Sequence, residues 1–287
     1  MKAEIKFLKQ EKVFWANVRT ISQEVGYSDR KTKKILIPTF DQIIKAYKKL
    51  NLNYLHICDE NKVATTLGAT LLEYFEYRAA ILENSVKPNL MDKDEAEILF
   101  QKLHSKFNPK CPLPFNKQTG EKQKYAFLTG MVNMILEANI KGLPCNFDPR
   151  ALTTITHNKM PFRTMARRVD GAFPEVVNPI AIWEIKEYYY TTTFGSRVAD
   201  GVYETLLDGL ELEELEQEAQ RKIQHVLFID AFFTWWIMGR SYLCRLVDML
   251  HMGYVDELII GKEIEARFPI IIKEWIKAYD ELNQGLT

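Results

Sequence analysis

The stretch that decides the fold is residues 167–186, which opens with RRVDG at 167–171 and closes with IAIWEIK at 180–186. It reads as two short strands joined by a turn. The strong chain breakers Pro174, Asn178 and Pro179 lie in that turn. The second strand begins as an apolar run and then becomes charged, which predicts a strand that passes from the core to the edge of a sheet.

Glu184 and Lys186 are two residues apart, so a strand places both side chains on one face and those of Trp183 and Ile185 on the other. Asp170, at the end of the first predicted strand, is expected to arrive beside them. Two carboxylates and an ammonium group then converge at the edge of a sheet. Two carboxylates plus waters suit Mg²⁺. The metal and the lysine would together polarise a phosphate and activate a water.

This arrangement resembles the PD-(D/E)XK nuclease superfamily, which includes most type II restriction endonucleases. Asp170 matches the first acid of the motif, Glu184 the second acid and Lys186 the lysine, while Val169 stands where the family name has proline. The resemblance implies a Mg²⁺-dependent hydrolase of phosphodiester bonds, with Asp170 and Glu184 on the metal. The alternative is an exposed hairpin with an ordinary cross-strand salt bridge.

The resemblance also suggests further site residues outside the motif. The helix before the first catalytic strand often contributes an acid to the metal in this superfamily, and Glu137 is the candidate here. Arg197 and Glu204 lie on one face of the helix that follows the Glu-x-Lys strand. Asp230 ends a buried apolar strand. For each of these residues a structural role, such as a solvent-facing position or an intrahelical salt bridge, is the alternative.

Residues 149–169 contain no Asp or Glu and lead directly into Asp170. A run of cations without anions suits a track for DNA phosphates. The alternative is that these arginines pair with the acidic segment 211–218. The residues that we expect to contact DNA are Lys159, Arg163, Arg167, Arg168 and Arg197.

Charge divides the 287-residue chain, although its net charge is zero. Residues 1–124 carry 22 Lys and Arg against 15 Asp and Glu, and residues 125–287 carry the remaining 16 against 23. A basic front half and an acidic rear half suit a DNA-contacting part joined to a metal-holding part. No run is apolar enough to span a membrane and the first residues do not resemble a signal peptide. The four cysteines are far apart, so neither a zinc site nor a disulfide framework is indicated, and a cytoplasmic location is expected. We expect no organic cofactor.

Helical periodicity dominates the front of the chain, and three prolines at 108–114 mark a boundary. We therefore predict a mainly α-helical accessory domain over 1–110 and a nuclease-like domain over 121–287. The fold class is α/β (α+β), with a mixed β-sheet flanked by helices. Residues 20–34 resemble a helix-turn-helix with Gly26 in the turn, followed by a recognition helix that exposes Arg30, Lys31, Lys33 and Lys34. The front domain would then be a reader of DNA. An ordinary helical hairpin is the alternative.

The sequence thus favours a Mg²⁺-dependent endonuclease of duplex DNA. A site-specific type II restriction enzyme with a role in phage defence is expected, and a homodimer if it cuts both strands of a symmetric site. Two alternatives stay open. One is a non-catalytic DNA-binding or scaffold protein on a degenerate nuclease fold, and the other is a structure-specific nuclease acting on branched DNA or RNA.

Overall fold

The structure is a computed structural model that describes residues 1–29, 31–32, 34–116, 124–190 and 195–284. Its helices are α1 (Ile5–Leu8), α2 (Lys12–Val25), α3 (Phe40–Lys49), α4 (Thr66–Ile81), α5 (Lys87–Asn89), α6 (Lys93–Phe107), α7 (Phe127–Asn139), α8 (Ser196–Ala219), α9 (Arg240–His251) and α10 (Ile264–Gln284). Its strands are β1 (Thr154–His157), β2 (Met160–Thr164), β3 (Gly171–Phe173), β4 (Ala181–Glu187), β5 (Gln224–Asp230) and β6 (Glu257–Ile260).

The rear part of the chain is built on a four-stranded mixed sheet with the order β3-β4-β5-β6. β3 runs antiparallel to β4, whereas β4, β5 and β6 are parallel to one another. Strands β4 to β6 are mostly buried on both faces because they carry continuous apolar runs. The structure therefore confirms the coarse prediction of a mixed sheet flanked by helices.

Helices cover both faces of this sheet. α7 and α10 pack on one face, against Trp183, Phe228 and Ile259. α9 and the start of α8 pack on the other face, against Leu227 and Ile229. Neighbouring residues of β5 therefore enter different cores, as the two-residue period of a strand requires.

The first predicted strand, 167–171, is wrong in its bounds. The strand begins only at Gly171, so Asp170 precedes it rather than ending it. Gly171 lies opposite Trp183, and a Cβ atom at Gly171 would lie 1.9 Å from the indole ring of Trp183. Only glycine allows the two strands to approach over that ring, and this contact sets the register of the hairpin.

The predicted helix-turn-helix is wrong as well. α2 ends at Val25, and Gly26 follows with a φ of +105°. The chain then doubles back as a short antiparallel pair, in which Leu36 N donates to Tyr27 O and Ser28 bridges to Ile35. Lys31 and Lys34 therefore lie on a turn and not on a recognition helix. The remaining two cations of the predicted recognition helix, Arg30 and Lys33, lie outside the described residues.

The front helices share cores with the rear part. α1 to α4 enclose their own apolar core, but the end of α4 and the residues after it pack with α9. α6 begins with a capping box made by Asp92 and Glu95, and it packs against α7. The structure therefore places α6, which the sequence analysis assigned to the front domain, in the core of the rear part. None of the helices in the described ranges is long and apolar enough to cross a membrane.

Candidate active site

Asp170 and Glu184 face each other at the open edge of the sheet. Because Gly171 pairs with Trp183, Asp170 lies opposite Glu184. Asp170 N donates to Glu184 Oε1 at 3.2 Å, and Ile185 N donates to Asp170 Oδ2 at 2.8 Å. β3 begins only at Gly171, so β4 has no strand partner beside Ile185 on this side. The Asp170 carboxylate accepts the hydrogen bond of Ile185 N in place of such a partner. The hairpin thus brings the two predicted acids together.

Glu184 is completely buried and paired with two cations. Arg167 lies 2.9 Å from Glu184 Oε1, and both Arg167 and Lys186 donate to Oε2, at 3.1 and 2.8 Å. Burial alone would raise the pKa of Glu184, but the two cations outweigh burial and hold the pKa below its usual value. Glu184 is therefore an ionised carboxylate in a nearly dry position.

Lys186, on β4, links this strand to α8 through ion pairs. Its ammonium group lies 2.8 Å from Glu184 and 2.7 Å from Glu204, and the residue is 7% exposed. Burial opposes the charged form, but Glu184 and Asp170 outweigh it and raise the pKa of Lys186. The lysine is therefore a cation held in place at the sheet edge, with Glu184 and Lys186 on one strand face as predicted.

Sequence reasoning missed Asp208, which completes this site. Arg167 lies 2.7 Å from Asp208 and 3.4 Å from Glu204, both on α8. Asp208 is one helical turn after Glu204, so the i, i+4 spacing was the signal that could have found it. We call Asp170, Glu184, Glu204 and Asp208 the carboxylate cluster.

The carboxylate cluster holds more negative charge than its two cations, Arg167 and Lys186, balance. Burial, and then the charge of Glu184, raise the pKa of Asp208 to about 7. Asp170 is exposed, but protein atoms crowd its carboxylate. This desolvation, and then the charge of Glu184, raise the pKa of Asp170 to about 6. An additional cation would relieve this excess, because opposite charge favours the ionised form of a carboxylate.

A cavity of about 270 Å³ opens beside Asp170, and we call it the edge cavity. Asp170, Ile185, Glu187 and Arg197 line it, whereas Glu184 and Lys186 do not. The Glu187 carboxylate accepts hydrogen bonds from the backbone N–H groups of Leu128 and Thr129 at the start of α7. The edge cavity therefore meets the carboxylate cluster only through Asp170.

Other predicted site residues lie elsewhere. Glu137 accepts a hydrogen bond from Lys110 N at 2.9 Å and does not line the edge cavity. Asp230 is buried, where it accepts from Tyr189 Oη at 2.6 Å and from Met91 N at 2.7 Å. Neither residue contacts Asp170 or Glu184, so the structure does not add them to the candidate site.

The predicted DNA-contacting residues fall into two groups. Arg163 pairs with Glu214 and Glu218 on α8, which is the pairing with the acidic segment that was the alternative. Arg167 points inward to Glu184. The residues that are exposed, and that form no ion pair with another residue the structure describes, are Lys159, Arg168 and Arg197. Lys159 lies in the turn between β1 and β2, where Asn158 and Lys159 both have positive φ, as in a two-residue hairpin turn.

Within the described part of the chain, no group of three or more His, Cys, Asp or Glu side chains is arranged to hold a metal ion. Asp170 and Glu184 are two facing carboxylates of the carboxylate cluster. Mg²⁺ is commonly bound by one or two carboxylates and completes its shell with water or phosphate oxygens. Asp170 Oδ1 accepts no hydrogen bond from the described residues, whereas both oxygens of Glu184 are engaged by Arg167 and Lys186.

The fold and the site define a mixed α/β protein with a buried charge cluster at the free edge of its sheet. Residues 91–275 match the model of a family described as a domain of unknown function, DUF7687, and the chain belongs to that family. Residues 1–85 match the model of a second family with the same kind of description, DUF7690. No curated protein and no solved structure matches the chain.

Proposed function

We propose that the protein is a Mg²⁺-dependent endonuclease that hydrolyses phosphodiester bonds of duplex DNA. The observation that carries this proposal is the meeting of Asp170, Glu184 and Lys186 at one sheet edge, within a cluster that holds excess negative charge. The order of β3, β4, α8 and β5 supports it, because Asp170 directly precedes β3 while Glu184 and Lys186 lie on the adjacent strand β4. Site-specific cutting as a type II restriction enzyme, phage defence and a homodimer are parts of the same proposal.

Asp170 and Glu184 are the residues that would hold Mg²⁺. The bound ion would supply a Lewis acid for the phosphate and a water of lowered pKa. Asp170 fits this role because its carboxylate faces the edge cavity and carries an unused acceptor atom. Glu184 fits it only if the ion takes over the contact that Arg167 makes with Oε1. The proposal therefore requires Arg167 to exchange places with a divalent cation.

Lys186 is the residue that we propose stabilises the negative charge of the transition state. Its ammonium group is fixed between Glu184 and Glu204, so no reorganisation is needed when negative charge develops on a nearby phosphate. Glu204 and Asp208 position the two cations from α8. The DNA backbone would be held by the exposed cations Lys159, Arg168 and Arg197, which lie on three different parts of the chain.

A specific observation favours a second candidate, a non-catalytic DNA-binding or scaffold protein. Glu184 is completely buried and both of its oxygens already contact cations of the protein. A site of this kind is a stable internal salt bridge if Arg167 never leaves. Such a protein would bind DNA in a salt-dependent manner and be indifferent to Mg²⁺.

Plasmid cleavage separates the two candidates. The purified protein is incubated with supercoiled plasmid with and without Mg²⁺, alongside Asp170→Asn and Lys186→Ala. Asp170→Asn keeps an oxygen that can accept from Ile185 N, so its fold should survive. We expect cleavage by the wild type only with Mg²⁺, and a loss of about a hundredfold or more in both variants, since each removes a group that acts on the transition state.

Two exposed residues of α10 provide matched controls. Asp280→Asn and Lys273→Ala make the same chemical changes at positions that contact neither the carboxylate cluster nor the edge cavity. Both should cut like the wild type. Undiminished cutting by Asp170→Asn would refute the active-site assignment, and an intact plasmid with DNA still bound would favour the non-catalytic candidate.

A further inference from the structure

A second polar groove lies on the opposite side of α8 from the carboxylate cluster. Two adjoining cavities, of about 500 and 390 Å³, form it between α2, the turn after Gly26, and helices α8 and α9. The cavities share Gln23, Tyr27 and Arg245 as lining residues. We call this the α9 groove. It shares no lining residue with the edge cavity in the part of the chain that the structure describes.

The α9 groove carries uncompensated positive charge. Arg19, Arg240 and Arg245 line it, and none of them forms an ion pair with a carboxylate of another described residue. The acids in its walls are used in other ways. Glu24 pairs with Lys49 at 2.7 Å, Asp248 pairs with Arg78 at 3.0 Å, and Asp29 accepts from the backbone N–H groups of residues 31 and 32.

Two of these arginines also have unused hydrogen-bond donors. The Nε atoms of Arg240 and Arg245 are buried and have no hydrogen-bond partner among the residues that the structure describes. Leaving a buried donor unpaired costs free energy, and more when the group is charged. An anion with several acceptor oxygens, such as a phosphate, would balance the positive charge of these guanidinium groups.

Aromatic rings stand beside these cations. The Arg245 guanidinium lies 5.2 Å from the ring centre of Tyr27, and that of Arg240 lies 4.6 Å from Trp236. Tyr203 is 55% exposed, and its hydroxyl accepts from Arg245 at 3.2 Å. Arginines interleaved with aromatic rings are the pattern by which proteins hold phosphates and stack nucleobases together.

We propose that the α9 groove binds a nucleotide, with its phosphate on Arg19 and Arg245 and its base against Tyr27 or Tyr203. The nucleotide is either free or part of a single strand, because both present the same base and phosphate. The groove is a second nucleotide site, separate from the phosphodiester site proposed at Asp170, and it does not depend on that site being catalytic.

Binding is measured with the full-length protein in EDTA, so that cleavage plays no part. The probes are AMP, followed by calorimetry, and a fluorescein-labelled single-stranded oligonucleotide, followed by anisotropy. Wild type is compared with Arg19→Gln, Arg245→Gln and Tyr203→Ala. Because the Arg19 and Tyr203 side chains are exposed, their variants should fold even if Arg245→Gln does not, and thermal melting checks this.

We expect each groove variant to bind about tenfold or more weakly, as the loss of one stacking or phosphate contact implies. Lys273→Gln, which removes a charge on α10, should bind like the wild type. Tighter binding of the strand identifies a nucleic-acid segment as the ligand, and equal binding of AMP identifies a free nucleotide. The proposal is overturned if the wild type binds neither probe below about 1 mM, or if the groove variants bind as well as Lys273→Gln.

Discussion

At the scale of single residues, the burial of Glu184 explains why the site contains the cations Arg167 and Lys186. Moving a carboxylate out of water costs several kcal/mol, and a buried position is tolerated only when other charges offset it. Arg167 and Lys186 supply this for Glu184. They do not suffice for Asp208, whose pKa stays raised to about 7. The protein therefore maintains an excess of carboxylates at a solvent-accessible edge, which is the condition under which a divalent cation gains the most.

Asp230 is a buried carboxylate at the end of β5, and its position is explained by burial and not by catalysis if its charge destabilises the fold. Burial raises its pKa to about 7, compared with about 3.9 in an unfolded chain. A raised pKa means that Asp230 favours folding when it is protonated. This contribution is present below pH 4 and is lost as the pH rises to 7. We expect Asp230→Asn to gain stability relative to the wild type as the pH rises from 5 to 8, by a few kcal/mol at most.

The measurement is urea unfolding of both proteins at several pH values, with Asp280→Asn as the exposed control. The control should show no such trend. If Asp230→Asn is equally destabilised at pH 5 and pH 8, then the ionised carboxylate contributes through its hydrogen bonds to Tyr189 and Met91, and the proposed cost of its burial is wrong.

The residues of the motif could be predicted because a strand has a fixed two-residue period. That period put Glu184 and Lys186 on one face whatever the rest of the fold did. Arg167 shows the limit of this reasoning. The sequence places it in a basic run, and only the position of α8 turns it inward to Asp208 instead of outward to DNA. Side-chain direction at a strand end depends on tertiary neighbours that no local pattern records.

At the scale of elements, the β3–β4 hairpin holds the site together through one close contact. Gly171→Ala would place a methyl group 1.9 Å from the Trp183 ring, and Trp183 itself is stacked on Trp275 of α10. The ring has little room to move, so we expect a loss of about 1–3 kcal/mol in the free energy of unfolding. Denaturant unfolding monitored by tryptophan fluorescence measures it.

Gly195→Ala is the matched control for this hairpin. No atom of the described residues lies within 4 Å of a Cβ atom at Gly195, and its φ of −116° suits any residue. The change there should stay below about 1 kcal/mol, which is the scale of an N-cap effect. Equal losses for the two glycines would show that the contact with Trp183 does not set the register of the hairpin.

Elements with strong periodicity were predictable and short ones were not. β4 and β5 are apolar runs, so both strands lie where expected. The segment after Gly26 is too short for a period to be read. Its path depends on the positive φ of Gly26 and on the burial of Ile35, which is a tertiary effect.

At the scale of the whole molecule, one buried ion pair joins the two family segments. Arg78 of α4 donates to Asp248 of α9 at 3.0 Å, and Tyr74 donates to the same carboxylate at 2.6 Å. Arg78→Met would leave Asp248 buried without its cation. We expect a loss of about 3–5 kcal/mol, as for other broken buried pairs, and a single unfolding transition because the two segments share a core.

The double variant Arg78→Met with Asp248→Leu checks this reading by calorimetry. It removes both charges, so it should recover much of the stability lost by Arg78→Met alone. Two separate transitions in the wild type would show that residues 1–85 and 91–275 fold independently. No loss of stability in Arg78→Met would show that the ion pair contributes little to the junction.

A measurement of metal binding, made without any nucleic acid, tests directly whether the carboxylate cluster binds a divalent cation. Free Mn²⁺, measured by electron paramagnetic resonance, is titrated against wild type, Asp170→Asn and Asp280→Asn, with Mg²⁺ as competitor. We expect the wild type and Asp280→Asn to bind about one ion that Mg²⁺ displaces, and Asp170→Asn to bind about tenfold or more weakly, since it loses a charged ligand. Equal binding by Asp170→Asn, or no binding by the wild type, would contradict the claim.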